Sequence, residues 1–116
     1  MTTTDSFLTI VIPAYNEAES LPKLLEDLLP FAKGNNWKII IINDGSKDKT
    51  KEVLNNEQHD SLKIIHHKVN KGYGGAIKSG IKEVDTKYLV TIDADGQHNL
   101  SDLEMMFKIT QEKDAD

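Results

Sequence analysis

The run Asp93-Ala94-Asp95-Gly96-Gln97-His98 follows directly on the apolar stretch Tyr88-Leu89-Val90-Thr91-Ile92. Two carboxylates one residue apart are thereby delivered to the end of a strand, and a glycine lets the backbone turn away. Such oxygens suit a hard divalent cation, Mg2+ or Mn2+, that in turn holds a phosphate. One of Asp93 and Asp95 can ligate the cation directly; the other can ligate too, or accept from a ribose hydroxyl. Gln97 adds a neutral carbonyl oxygen. The competing reading is a pair of cap and turn aspartates in a strand–helix loop. The strand immediately before them tips the balance towards a site, because open α/β sheets bind ligands at their strands' carboxyl ends.

Other apolar runs end in the same fashion. Pro13-Ala14-Tyr15-Asn16-Glu17 places an aromatic ring and a carboxylate where they could flank a base, by stacking and by accepting from its N–H groups. A helix-start glutamate and a half-buried tyrosine would explain the same residues. Asn43-Asp44-Gly45-Ser46 is either a plain turn or a carboxylate and amide bonding a base or ribose. Asn70-Lys71-Gly72-Tyr73-Gly74-Gly75 resembles a phosphate cradle: glycines admit the backbone amides, a helix follows, and Lys71 supplies charge. It has neither the lysine–hydroxyl pair of a P-loop nor dinucleotide glycine spacing. His66, His67 and His98 are candidate ligands, although a carboxylate and amide set suits Mg2+ or Mn2+ better than zinc. Four such ends on one edge would form a single crevice.

The elements that must position these residues can be read from the apolar pattern. Phe7–Ile12, Trp37–Ile42, Leu62–Ile65 and Tyr88–Ile92 are β-rich runs with helical spacing between them, the signature of parallel strands covered on both faces. Leu21, Leu24, Leu25, Leu28 and Leu29 form the first helical stripe, with Pro22 in the first turn and the exit marked by Pro30 and Gly34. A short helix starts near Asp48, a capping residue, with Val53 and Leu54 inward. A third, from about Tyr73 to Val84, places Ile77, Ile81 and Val84 on one face. Ser101 and Glu104 form a capping box for a fourth, with Leu100 stapling onto Met105 and Leu103, Met106 and Phe107 as core. The sum is a three-layer α/β domain with a mostly parallel sheet of about four strands and helices on both faces.

Bulk properties narrow the function. The 116 residues make one domain at most, and the net charge of −5 argues against a nucleic-acid binder. With no cysteine, disulfides, thiol catalysis and zinc-thiolate sites are excluded. No apolar stretch approaches the roughly 18 residues of a membrane span, so a cytoplasmic location is expected. The pattern stops after a helix where a further strand is expected, so 1–116 reads as part of a longer domain. An unpaired sheet edge in such a piece would invite a homodimer.

Taken together, Val11-Ile12-Pro13-Ala14-Tyr15-Asn16-Glu17, Asn43-Asp44-Gly45-Ser46, Asn70-Lys71-Gly72-Tyr73-Gly74 and Asp93-Ala94-Asp95-Gly96-Gln97-His98 resemble the nucleotide-binding half of family 2 glycosyltransferases of the GT-A fold. Within that family the likeness is to the dolichyl- or polyprenyl-phosphate hexosyltransferases, over essentially the whole chain. The resemblance implies a donor-binding portion of a metal-dependent inverting transferase that moves a hexose from a UDP- or GDP-sugar to a lipid phosphate, glycan or protein. On that basis Pro13, Ala14, Tyr15 and Glu17 line the base, Asn43 and Asp44 contact base or ribose, and Lys71 and Gly72 lie beside the nucleotide. Asp93 and Ala94 approach the ribose or sugar, while Asp95 and Gln97, with Asp93, hold the metal. Asn43 departs from the second acidic residue common in the family. The catalytic base is expected beyond Asp116, with the parent protein as the enzyme, at the inner face of a membrane if further sequence anchors it. The alternatives are a non-catalytic nucleotide-binding module, or a phosphoryl-transfer enzyme using Asp93 as nucleophile.

Overall fold

A computed structural model describes residues 8–94. Within it four strands, β1 (Leu8–Ala14), β2 (Lys38–Asp44), β3 (Leu62–His67) and β4 (Tyr88–Thr91), form one sheet in the order β3-β2-β1-β4. Every pairing is parallel. The expected strands are all present. The first three each run two residues further at their C-terminal ends than the apolar pattern suggested, because Pro13, Ala14, Asn43, Asp44, His66 and His67 stay in register. The strand order reverses between β1 and β4, and it is there that an open α/β sheet leaves a crevice.

Alternation along the strands makes two cores. Ile10, Ile12, Ile39 and Ile41 pack under α1 (Leu21–Asn35) and α2 (Thr50–Asn55), against Leu21, Leu24, Leu25, Leu28 and Leu54. Val11, Ile40 and Ile42 face α3 (Gly72–Lys82) through Ala76. Thr9, fully buried on β1, shares a 2.7 Å hydrogen bond with Thr86, whose hydroxyl donates to the Tyr88 carbonyl. The threonine pair thereby fixes the entry to β4 without leaving a polar atom unsatisfied.

Two helix expectations need correction. α1 runs through Pro30 and Gly34 and stops at Asn36, which takes the left-handed conformation at φ 57°. There the Trp37 and Asn36 amides donate to the carbonyls of Ala32 and Lys33, closing the helix end. Pro30 is tolerated because it and Glu26 are exposed, so water can satisfy the carbonyl that the proline ring leaves without a donor. In α3 the residues buried against the sheet are Ala76 and Gly80; Ile77 and Val84 pack beside them as expected, but Ile81 is 45% exposed. The small residues lie inward because the layers are close. A Cβ on Gly80 would lie 2.6 Å from Val11 Cγ1 and 2.8 Å from Ile42 Cδ1.

The fourth helix, with Leu100, Ser101, Leu103, Glu104, Met105, Met106 and Phe107, lies outside the described residues. β3 and β4 are the sheet's edges among the described residues, so the expected unpaired edge is present there. Gly80→Val is expected to lower stability by about 2 kcal/mol, measured by urea unfolding, since overpacking outweighs any gain in helix propensity.

Candidate functional site

At the reversal point, Pro13, Tyr15, Glu17, Tyr73, Asp93 and Ala94 line a cleft of about 230 Å³. The ends of β1 and β4 supply five of these residues, and α3 brings Tyr73 from the other side of the chain. Tyr15 and Tyr73 are 42% and 62% exposed, two aromatic rings presented to one recess beside two carboxylates. Asp93 is exposed, whereas Ala94 is buried in the cleft lining and Ala14 lies in the core beneath β1. Tyr73 belongs to the glycine-rich run and is a site residue that the sequence does not mark. Spacing on its own helix gives no sign that a crossover carries it to β1.

A larger recess, about 790 Å³, opens between α1 and residues 58–61, at the opposite end of the sheet. Its position at the strands' amino ends makes it the poorer candidate, and the smaller cleft is the one with convergent polar groups. Among the described residues the rim shows a second recess beside the cleft. The second, about 310 Å³, is lined by Asn43, Gly45, Ser46, Lys51, His66, His67 and Lys68 at the ends of β2 and β3.

Between the two recesses, the loops after β1 and β2 are sewn together. Asn16 sits in the left-handed region at φ 56°, and its side-chain oxygen accepts from the Lys47 amide at 2.8 Å. Its own amide donates to Ser46 Oγ, the Glu17 amide to Thr50 Oγ1 and the Ala18 amide to Asp48. Asp48 also accepts from the Thr50 amide, but it stands one residue before the cap position, which Lys49 occupies without a side-chain bond. The Thr50 hydroxyl, then the amides of Thr50 and Ala18, hold the Asp48 carboxyl below its usual range. Glu17 accepts from the Ser20 hydroxyl at 2.5 Å, which orients its carboxylate at the cleft wall.

Asn43 and Asp44 are buried and bonded to their own chain. The Asn43 oxygen accepts from the Ser46 amide, which leaves its NH₂ to donate to His66 Nδ1 at 3.0 Å. His66 is then neutral with its proton on Nε2, directed at Asn55 Oδ1. Burial, with the charge of Lys51, pushes the His66 pKa down. Asp44 Oδ1 accepts from His67 Nδ1 at 2.8 Å and from the Lys71 amide at 2.9 Å. Burial alone would push the Asp44 carboxyl up, but the His67 hydrogen bond and the Lys71 and Gly72 amides outweigh it and hold it low.

The Lys71 and Gly72 amides of the expected phosphate cradle are thus turned inward, Gly72 donating also to Asn70 Oδ1. Lys71 itself is exposed at the start of α3, with Gly72 half-buried beside it. Gly45 is held twice over. Its φ is +72°, and a Cβ there would lie 2.5 Å from the Asn70 amide nitrogen. Asp95, Gln97 and His98 lie outside the described residues, and no group of three or more metal-ligating side chains occurs among the described ones. Asp93 and Glu17 at the cleft are the oxygen donors a hard cation takes, so the part of the site that is described fits such an ion.

Comparison with known proteins follows the same lines. Residues 9–116 match the model of glycosyl transferase family 2. The chain belongs to that family. It is 39% identical over 111 residues to a dolichyl-phosphate beta-glucosyltransferase of Trichomonas vaginalis, covering 88% of this chain and 34% of that protein. The Saccharomyces cerevisiae dolichyl-phosphate beta-glucosyltransferase is 36% identical, with 86% and 33% covered. An undecaprenyl-phosphate 4-deoxy-4-formamido-L-arabinose transferase of Pectobacterium carotovorum is 40% identical, with 78% and 29% covered. The family 2 chain therefore spans about a third of the length of these curated relatives.

Among solved structures, S. aureus TarS superposes with a TM-score of 0.77 at 21% identity, covering 91% of this chain and 32% of that one. A mannosyltransferase from Pyrobaculum calidifontis in complex with GDP-Man and Mn2+ gives 0.69 at 20%, covering 80% and 28%. At these identities the likeness establishes the fold, that of GT-A glycosyltransferases.

Two outcomes follow from the rim. Asn16→Gly is expected to cost about 1 kcal/mol, the loss of one side-chain acceptor, and Asn16→Ala roughly 2 kcal/mol, because alanine is also strained at positive φ. Thermal unfolding of both variants checks the order. His66 has a depressed folded pKa, so its contribution to stability is fully present above the unfolded value of about 6.5 and is lost as pH falls through the folded one. His66→Gln should therefore flatten the loss of stability between about pH 7 and pH 5, followed by urea unfolding across that range.

Proposed function

We propose that this family 2 chain is the donor-binding portion of a metal-dependent, inverting glycosyltransferase that passes a hexose from a UDP- or GDP-sugar to a polyprenyl phosphate. The observation that carries the reading is the cleft at the strand reversal, where Tyr15, Tyr73, Glu17 and Asp93 meet. Aromatic faces take a planar base, and the carboxylates take its N–H groups or ribose hydroxyls. Pro13 and Ala14 would form the floor under the base, and Asn43 and Asp44 the support behind it. Lys71 and Gly72 would flank the nucleotide. Asp93, with Ala94 beside it, would reach the ribose or sugar, and Asp93, Asp95 and Gln97 would hold Mg2+ or Mn2+.

The bound cation would neutralise charge developing on the departing nucleoside diphosphate. In an inverting transfer the acceptor oxygen attacks the anomeric carbon from the face opposite the leaving diphosphate. A phosphate acceptor is already anionic, so it depends little on a base to remove a proton. The dolichyl- and undecaprenyl-phosphate names of the relatives favour a lipid phosphate as acceptor. No helix among the described residues is long and apolar enough to cross a membrane. The longer protein would then meet its lipid at a membrane surface, through sequence outside this chain.

Calorimetric titration of the chain with UDP and GDP, in Mg2+ and in Mn2+, tests the donor site. Binding is expected with one nucleotide, weakened at least tenfold by chelation of the metal or by Asp93→Asn. A folded chain that binds neither nucleotide in either metal would overturn the reading. Binding without sugar transfer by the full-length protein would mark a nucleotide-binding module instead of an enzyme.

A further inference from the structure

His67 has both ring nitrogens committed within the fold. Nδ1 is 2.8 Å from Asp44 Oδ1 and Nε2 is 2.8 Å from Ser79 Oγ. The His67 and Asp44 side chains are only 6% and 5% exposed. One carboxylate oxygen thus joins three elements: β2 supplies Asp44, β3 supplies His67, and the Lys71 amide at the start of α3 bonds the same atom. Asn70 closes the loop by donating to the Asp44 carbonyl at 3.1 Å. The order carboxylate–imidazole–hydroxyl is that of a nucleophile-activating triad. Here, however, the carboxylate and ring side chains are almost wholly covered, and although His67 borders the second recess, neither rim recess includes Asp44 or Ser79 in its lining. A group so enclosed acts through what it holds.

We propose that His67 is a positioning residue of the nucleotide site, fixing Asp44 so that Asp44 in turn holds the Asn70–Gly72 turn in its binding geometry. The proposal rests on the reading of the rim as a sugar-nucleotide site. The arrangement explains why a buried carboxylate stands at the end of β2 with little access to a ligand. With the Nδ1–H donor in place, Asp44 Oδ1 is fully engaged and the Lys71 amide has one position to occupy. Without it, the carboxylate is left short of a donor and is free to rotate, and the turn that carries Lys71, Gly72 and Tyr73 to the rim loses its anchor. Ser79 keeps the ring in plane from the far side.

The test compares His67→Asn with His67→Gln. The asparagine amide can stand where Nδ1–H does and still donate to Asp44, whereas glutamine matches the Nε2 side facing Ser79. Nucleotide affinity is measured by calorimetry, and hydrogen exchange of the Lys71 amide by NMR. The expected result is a loss of affinity of at least tenfold in His67→Gln, with faster Lys71 exchange, and recovery to within about threefold of the unmodified chain in His67→Asn. Equal affinities and equal Lys71 protection in both variants at matched melting temperatures would overturn the proposal.

If neither variant folds, the unmodified chain decides. Adding nucleotide must then shift the His67 ring resonances, and an unmoved ring counts against the proposal. Should the unmodified chain bind no nucleotide at all, the donor-site reading fails on that result. The Lys71 exchange order alone then judges the role of His67.

Discussion

A carboxylate withdrawn from water has to be surrounded by donors, and the placement of those donors around Asp44 organises the whole carboxyl edge of the sheet. Desolvating a charge costs several kcal/mol unless hydrogen bonds and an opposite dipole or charge replace the water. Here the replacements come from β3, through His67, and from the first residues of α3. Gly45 must then be a glycine, because the turn bonded to Asp44 passes against its Cα. The paired loops after β1 and β2 follow a similar logic, with Asn16 and Asp48 as acceptors for amides that no helix or strand satisfies.

This bonding leaves a division of labour along the rim. Asn43, Asp44, His66 and His67 are spent on internal partners, while Tyr15, Glu17, Tyr73 and Asp93 face the cleft. On the proposal made above, Asp44 and His67 hold the turn that leads to Tyr73. For the sugar nucleotide proposed as ligand, preorganisation of this kind would matter, since ordering side chains at the moment of binding would subtract from affinity.

Much of this was legible in the residues. Near-continuous isoleucine and valine runs gave four strands and their parallel direction, because strands covered on both faces do not alternate. The leucine stripe gave α1. Resemblance of the strand-end motifs to family 2 glycosyltransferases gave the family and the fold. What escaped depended on tertiary distance. Pro30 and Gly34 looked like a stop for α1, yet the stop is Asn36, whose left-handed turn is fixed by Trp37 returning to the sheet. Of Ile77, Ile81 and Val84, the first and last do pack against the sheet, but Ile81 turns out to solvent, and the narrow gap above Val11 and Ile42 is filled by Ala76 and Gly80. The inward bonding of Asn43 and Asp44 was equally hidden, since turn formers in sequence do not reveal whether their side chains meet a ligand or their own chain.

Pairing of Leu8 with Tyr88 and of Val11 with Thr91 carries a kinetic consequence. β1 waits beside β2 for a neighbour that is synthesised last among the described strands, and closing so long a loop is entropically slow. Until β4 docks, Tyr15 and Glu17 have no opposite wall. Formation of the cleft therefore waits on β4, and a nascent chain emerging from the ribosome lacks this pocket until that strand has joined β1.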